Sequence, residues 1–282
     1  LKMKKDGYAF LFESVEGEEK IAHYSFLGSN PSIILKSKGN NIQIMYPYIK
    51  ESMRFVTPKD PLSEIKKIMK DFKAADIKGL PRFFGGFVGY IGYDMARFFE
   101  KLPDKNPDDL KLPDSIFILV FDHVNHTIKI IVNVILPKKG KNLLGIKGTQ
   151  AYSNAIKKIE SIHRDLKKPL IEEENKKKNS KHKNIASNFN KSEFQDAVTK
   201  AKGYIKRGDI IQAVLSQRFK INIDIDPLDI YRNLRSINPS PYMFYLKLND
   251  VILIGSSPEM LVRCEDGIVE TRPIAGTRPR GK

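Results

Sequence analysis

The sequence has no tryptophan, a single cysteine (Cys264), and no apolar run approaching the roughly 18 residues that a membrane span requires. One cysteine excludes an internal disulfide and a cysteine-rich zinc site. Acidic residues are also scarce: 33 Asp and Glu stand against 49 Lys and Arg, for a formal charge of +16. That charge suggests nucleic acid. Yet without tryptophan, zinc-finger spacing or an RNA-binding aromatic motif, a basic surface has little to give it specificity. The densest basic patch, KKKNSKHK at 176–183, lies in a low-complexity stretch and reads as a solvated linker. A positive field serves a small anionic substrate equally well. The opening residues, LKMKKDGYAF, lack the apolar core and cleavage site of a secretory signal. A reducing, cytoplasmic setting is therefore expected, with neither membrane nor nucleic acid as partner. A basic nucleic-acid-binding protein is the remote alternative.

What is present suffices for a large core, since 41% of the 282 residues are hydrophobic. AFLFES and HYSFLGSNPSIILKS read as strands broken by turn residues. PLSEIKKIMKDFK reads as a helix opened by Pro61, with Ile65, Ile68, Met69 and Phe72 on its apolar face. SIFILVFDHVNHTIKIIVNVIL reads as a hairpin whose turn exposes His123 and His126. A helix over roughly 150–166 leads into a charged, Asn/Ser-rich stretch that marks a boundary near 167–190. Beyond it, Ser192 and Gln195 suggest a capping box for a helix ended by Gly208. DIIQAVLSQRFKI reads as a strand. A second helix starts at Asp226-Pro227 and runs through Leu234. YMFYLKL, VILIGSS, MLVRC and IVETRPI then read as an antiparallel meander. The fold class expected is α+β, in two parts.

Four stretches carry candidate chemistry. FFGGFVGYIGYD (83–94) has glycines at nucleotide-loop spacing but neither the G-x-G-x-x-G order nor a P-loop Gly-Lys-Ser/Thr, so close packing of a strand is the expected role. NPSPYM (238–243) either turns the chain or lines a small aromatic pocket, with Met243 packing against a ring. GSSPEM (255–260) sets Glu259 in a Ser-Pro turn. Base rates favour an exposed turn glutamate; the alternative is a partly desolvated carboxyl able to donate a proton near neutrality. In RPIAGTRPRG, Gly276 lets a ligand approach the backbone, Thr277 offers a hydroxyl and an amide, and Arg278 and Arg280 could pair with carboxylates.

In this order, the motifs resemble component I of anthranilate synthase, among the chorismate-utilising enzymes. LFESVEGEEKIAHYSFLG is similar to that family's LLES…YSF segment, and GGFVGYIGYD to its glycine-rich segment. QAVLSQRF, NPSPYMFYL, GSSPEML and RPIAGTRPRG are similar to its chorismate-binding domain. The resemblance covers nearly the whole chain. It implies a mixed α/β sandwich of antiparallel sheets flanked by helices, with a regulatory N-terminal domain over 1–166, a charged linker over 167–190 and a chorismate-binding domain over 191–282. In the family, the PIAGTRPRG loop is internal, and the segment after it carries the catalytic histidine and the magnesium-binding glutamates. The expectation is therefore a fragment with an incomplete chorismate-binding domain, inactive alone, holding no metal ligand of its own.

The resemblance also implies roles. Ammonia, released from glutamine by a glutamine amidotransferase subunit, adds at C2 of chorismate as the C4 hydroxyl leaves; loss of pyruvate gives anthranilate, with Mg2+ required. Glu259 is the implied general acid, and Gly276 and Thr277 the implied chorismate-binding residues. Gln212 stands where water-adding relatives carry a lysine base, which suits ammonia as nucleophile. Ser14 with Pro241, Tyr242 and Met243 is the implied pocket for tryptophan as feedback inhibitor; Phe12 replaces the family's usual second leucine. The nearest rival, aminodeoxychorismate synthase component I of folate biosynthesis, commonly has a nucleophilic lysine where this chain has Ala275, which cannot act as one.

Overall fold

In the computed structural model, residues 7–15, 24–73, 83–120, 124–125, 130–134, 148–169, 184–274 and 276 are described. The N-terminal stretch forms β1 (Tyr8–Glu13), β2 (Tyr24–Ser29), β3 (Ile33–Lys38), β4 (Asn41–Tyr46) and β5 (Glu51–Val56). After them come α1 (Pro61–Met69), β6 (Gly86–Ile91), a 3-10 turn (Tyr93–Phe98), β7 (Ser115–Val120), the short β8 (Val124–Asn125) and α2 (Gly148–Lys167). Next are β9 (Ala186–Ser187), α3 (Lys191–Arg207) and β10 (Phe219–Lys220). The last group is α4 (Pro227–Ile237), β11 (Tyr242–Leu248), β12 (Val251–Ser257), β13 (Met260–Glu265) and β14 (Ile268–Arg272).

Strand alternation explains how these elements stack. One five-stranded sheet has the order β12-β11-β1-β2-β8, the other β5-β4-β3-β7-β6, and every pairing in them is antiparallel. Phe10, Leu246 and Leu248 of the first sheet meet Ile34, Val88, Ile116 and Ile118 of the second in one buried cluster. The alternate residues of the second sheet (Ile33, Leu35, Ile42, Ile44 and Leu119) pack against Ile65 and Ile68 of α1 and against Phe72. Those of the first, Met243 and Tyr245, pack against Tyr231, Leu228 and Leu234 of α4. The layers are helix, sheet, sheet, helix, so the expected sandwich of antiparallel sheets flanked by helices is present. Each fully buried side chain of this size contributes about 1.5–3 kcal/mol.

The compact units do not follow the division at 167–190 expected along the sequence. Residues Pro227–Lys282 cluster with Leu1–Leu170, because β11 pairs with β1; Ile171–Asp226 form the other unit. In that unit, α3 is capped by Asn190 and Glu193 in a reciprocal box, two residues before the Ser192–Gln195 pair read from sequence. Asn190 sits three residues before Glu193, whereas Ser192 falls inside the first turn. Phe189 packs edge-on against Phe194, stapling the entry, and Gly208 closes the helix at φ 80°.

Three further strand readings need correction. Of the expected strand over 209–221, only Phe219–Lys220 pairs, with β9. Ile211 is 96% exposed and Val214 86%. Strand propensity without a neighbouring ladder does not make a strand. The expected meander is instead two hairpins: β11–β12 joins the first sheet, while β13–β14 forms a separate two-stranded sheet. Pro258, which lacks an N–H, stands in the break between them. Finally, β7 forms as expected but pairs with β3 and β6, and residues 130–134 carry no strand. His123 and His126 lie outside the described residues, as do Ala275 and residues 277–282. Among the described residues no helix is long and apolar enough to cross a membrane.

The glycine-rich segment does pack a strand closely. A Cβ on Gly89 would lie 1.9 Å from the Ile116 carbonyl oxygen on β7. Gly89→Ala should therefore destabilise the full-length protein by on the order of 3 kcal/mol through backbone displacement, read as a lowered denaturant midpoint; an unchanged midpoint would show that the two strands can separate freely. Tyr231→Phe removes a hydroxyl that donates to the Glu13 carboxylate at 2.6 Å. A loss of about 1.5–3 kcal/mol is expected for a bond to a charged group. Glu13→Gln in the same background should cost less than it does alone, which a double-mutant cycle measures.

Candidate active and effector sites

The first site is built where the end of β1 meets the exit of α4. The β1–β11 register sets Glu13 opposite Met243. One step further, the Val15 N–H donates to the Ser240 carbonyl at 3.2 Å. The helix α4 ends at Ile237, and Pro239 and Pro241 hold the following corner extended. Ser240 is buried within that corner. Its hydroxyl lies 2.7 Å from the Ser256 hydroxyl, which donates to the Asn238 carbonyl at 2.6 Å. Ser14 and the Pro241–Met243 triplet are thus neighbours, joined by backbone bonds.

Alternation then divides them between two faces. Phe10 and Phe12 belong to the inter-sheet cluster, and Leu11 and Val15 to the cluster under α4. Continuing that pattern puts Ser14 on the inter-sheet side. Phe244 packs into the inter-sheet cluster, so its alternation partner Tyr242 faces the same way. Met243 does not: it is 1% exposed and packs with Tyr231 and Tyr245 on the α4 side. The expectation that Met243 would lie directly against a ligand ring is not met by this geometry. The Ser14 hydroxyl is the buried side-chain polar atom without a partner among the described residues. An unpaired buried hydroxyl costs about 1–3 kcal/mol, a cost that a hydrogen-bonding ligand would remove.

On the α4 side lies a group that sequence reasoning missed. Glu13 accepts from the Tyr231 hydroxyl at 2.6 Å and from the Ser25 hydroxyl at 3.3 Å, and pairs with Arg235 at 3.3 Å. Burial, and next the hydrogen bond to Glu13, push the Tyr231 hydroxyl far above the usual tyrosine range, so it remains a donor. Tyr231 and Glu13 are 218 residues apart, and no local pattern links them.

The second site lies at the turn after β12. The Ser257 hydroxyl accepts from the Glu259 N–H at 3.3 Å, fixing the turn. Glu259 is exposed, and its Oε1 accepts from the Ile274 N–H at 3.2 Å. The carboxylate is therefore tied to the start of the loop that contains Gly276. Among the described residues Glu259 is exposed rather than partly desolvated. Gly276 is exposed, with no heavy atom within 4 Å of where a Cβ would be, so its backbone is open to approach. Thr277 lies outside the described residues. Gln212 belongs to the other compact unit, exposed in an irregular stretch. Among the described residues no group of three or more His, Cys, Asp or Glu is arranged to hold a metal ion.

The arrangement has known counterparts. The chain is 44% identical over 295 residues to anthranilate synthase component 1 of Acetivibrio thermocellus, a match covering 100% of this chain and 57% of that protein. The same protein of Aquifex aeolicus (strain VF5) is 44% identical over 291 residues, with 100% and 56% covered. The fold superposes on the crystal structure of anthranilate synthase component I from Streptococcus pneumoniae TIGR4 with a TM-score of 0.69 at 26% identity, covering 90% of this chain and 54% of that one. The chain thus spans little more than half the length of the relatives it matches. The model of the chorismate binding enzymes matches residues 8–282, and the chain belongs to that family.

Proposed function

We propose that the protein carrying this chain is the large subunit of an anthranilate synthase, converting chorismate and ammonia to anthranilate and pyruvate. The observation that carries this reading is the 44% identity, over the whole chain, to anthranilate synthase component 1 of two organisms. Ammonia comes from glutamine through a glutamine amidotransferase subunit. The reaction forms a C–N bond at C2, expels the C4 hydroxyl as water, and then releases pyruvate.

Glu259 protonates the departing hydroxyl. Its Oε1 is held by the Ile274 N–H, which leaves Oε2 to face the substrate. The open backbone at Gly276, with Thr277 beside it, receives chorismate oxygens. Gln212 cannot take a proton from water, which suits ammonia as the nucleophile. Magnesium belongs to the proposal as a counter-charge to the substrate carboxylates. The described residues do not form a set that fits it, and no step here depends on it. Ala275 offers no nucleophile, which disfavours amination at C4.

Tryptophan is the proposed feedback inhibitor, taken at the end of β1. The Ser14 hydroxyl would meet its polar end and Tyr242 its ring, with Met243 supporting the corner from behind. That support is indirect, through the cluster with Tyr231 and Tyr245.

Two measurements test the proposal. The full-length enzyme, given chorismate, ammonia and magnesium, should release anthranilate, identified by its fluorescence and mass; a 4-amino product would refute the reading. Glu259→Gln should then lower kcat about 10²–10⁴-fold with little change in chorismate KM, since the proton is needed only as the hydroxyl leaves. Equal activity of mutant and parent across pH 6–9 would remove Glu259 as the acid. For the effector site, Ser14→Phe should abolish tryptophan inhibition by filling the space. Met243→Thr should weaken it less while also lowering thermal stability, by about 1–3 kcal/mol of lost apolar burial. Unchanged inhibition in both variants would place the inhibitor elsewhere.

A further inference from the structure

We propose that Ser256 is a positioning residue that couples the effector corner to the Glu259 turn. The inference rests on the reading of Ser14 and the 241–243 corner as the tryptophan pocket and of Glu259 as the acid.

The corner between α4 and β11 has no backbone N–H at Pro239 or Pro241 with which to anchor itself, so its carbonyls carry the ties. Its carbonyls are held by two neighbours. The Ser240 carbonyl takes the Val15 N–H, immediately after Ser14, and the Asn238 carbonyl takes the Ser256 hydroxyl. The Ser240 and Ser256 hydroxyls then close the arrangement at 2.7 Å. Ser240 is therefore bonded on one side to the exit of β1 and on the other to β12. A ligand that wedges against Ser14 displaces Val15 and Ser240, and the hydroxyl pair passes that displacement to Ser256.

Ser256 sits opposite Met243 in the β11–β12 ladder, next to Ser257, whose hydroxyl fixes the Glu259 N–H. The route from effector pocket to acid consists of three hydrogen bonds on consecutive or facing residues, with the Ser256–Asn238 bond anchoring the corner beside it. Motion along β12 is the only freedom it needs. Ser256 itself touches neither ligand in this arrangement; its hydroxyl is committed to the corner.

The test is the linkage between the two ligands in the full-length enzyme. Tryptophan affinity is measured by calorimetry with and without saturating chorismate, in the absence of ammonia and glutamine. The parent enzyme should show tryptophan binding weakened by about 5–150-fold when chorismate is bound, as coupling between sites requires. Ser256→Ala should reduce that factor to below about twofold while tryptophan still binds the chorismate-free enzyme and turnover persists. Ser256→Thr, which keeps the hydroxyl, should restore the coupling. An unchanged factor in Ser256→Ala overturns the proposal, as does loss of tryptophan binding in Ser256→Ala that threonine fails to rescue. Ser14→Phe serves as the control on the underlying reading. If it leaves tryptophan binding intact, the pocket is elsewhere and both inferences fall; if it abolishes binding while Ser256→Ala keeps full coupling, only the role of Ser256 is lost.

Discussion

The antiparallel ladder between β1 and β11 is the contact on which the rest of the structure depends. It runs from Tyr8 opposite Leu248 to Glu13 opposite Met243 and makes β1 a central strand rather than an edge. Without it, β11 and β12 would be an isolated hairpin, which is marginal in water. The inter-sheet layer would lose Leu246 and Leu248, which β11 contributes to it. The Val15–Ser240 bond that brings Ser14 to the corner also follows from the register of this ladder.

The two faces of that ladder are chemically unlike, and the difference separates two tasks. The inter-sheet face is apolar except at its end, where Ser14 leaves a hydroxyl unpaired. The helix face carries a carboxylate with its needs met by Tyr231, Ser25 and Arg235. A satisfied half-buried carboxylate holds its strand in place, whereas an unsatisfied hydroxyl favours whatever will complete it. Both lie within two consecutive residues, Glu13 and Ser14, because neighbouring strand positions point to opposite faces.

Around Glu259 the design is different. The turn is set by backbone and hydroxyl bonds from Ser257 and Ile274 rather than by burial, and the side chain faces solvent. The carboxylate is thus oriented by its own turn and by the start of the loop leading to Gly276.

Much of this was legible in the sequence, wherever cause and effect lie a few residues apart. Pro61 at a helix start, Gly208 at a helix end and the alternating faces of β11 follow from dihedral and period rules. The LFES and NPSPYM stretches, singled out in the sequence, are the segments that the β1–β11 pairing brings side by side. Local rules misjudged the cap of α3 by two residues, and they made a strand of 209–221 because they register propensity without a partner. Only the tertiary structure decided which strand lies beside which. Alternation says which side chains share a face but does not name the neighbouring strand, so the joining of β1 to β11, the splitting of the meander into two hairpins, and the meeting of Tyr231 with Glu13 across 218 residues could not be read from pattern. The same limit governs Met243: its chemistry suited a ligand ring, and the register turned it to the other side of the sheet, into the core beneath α4.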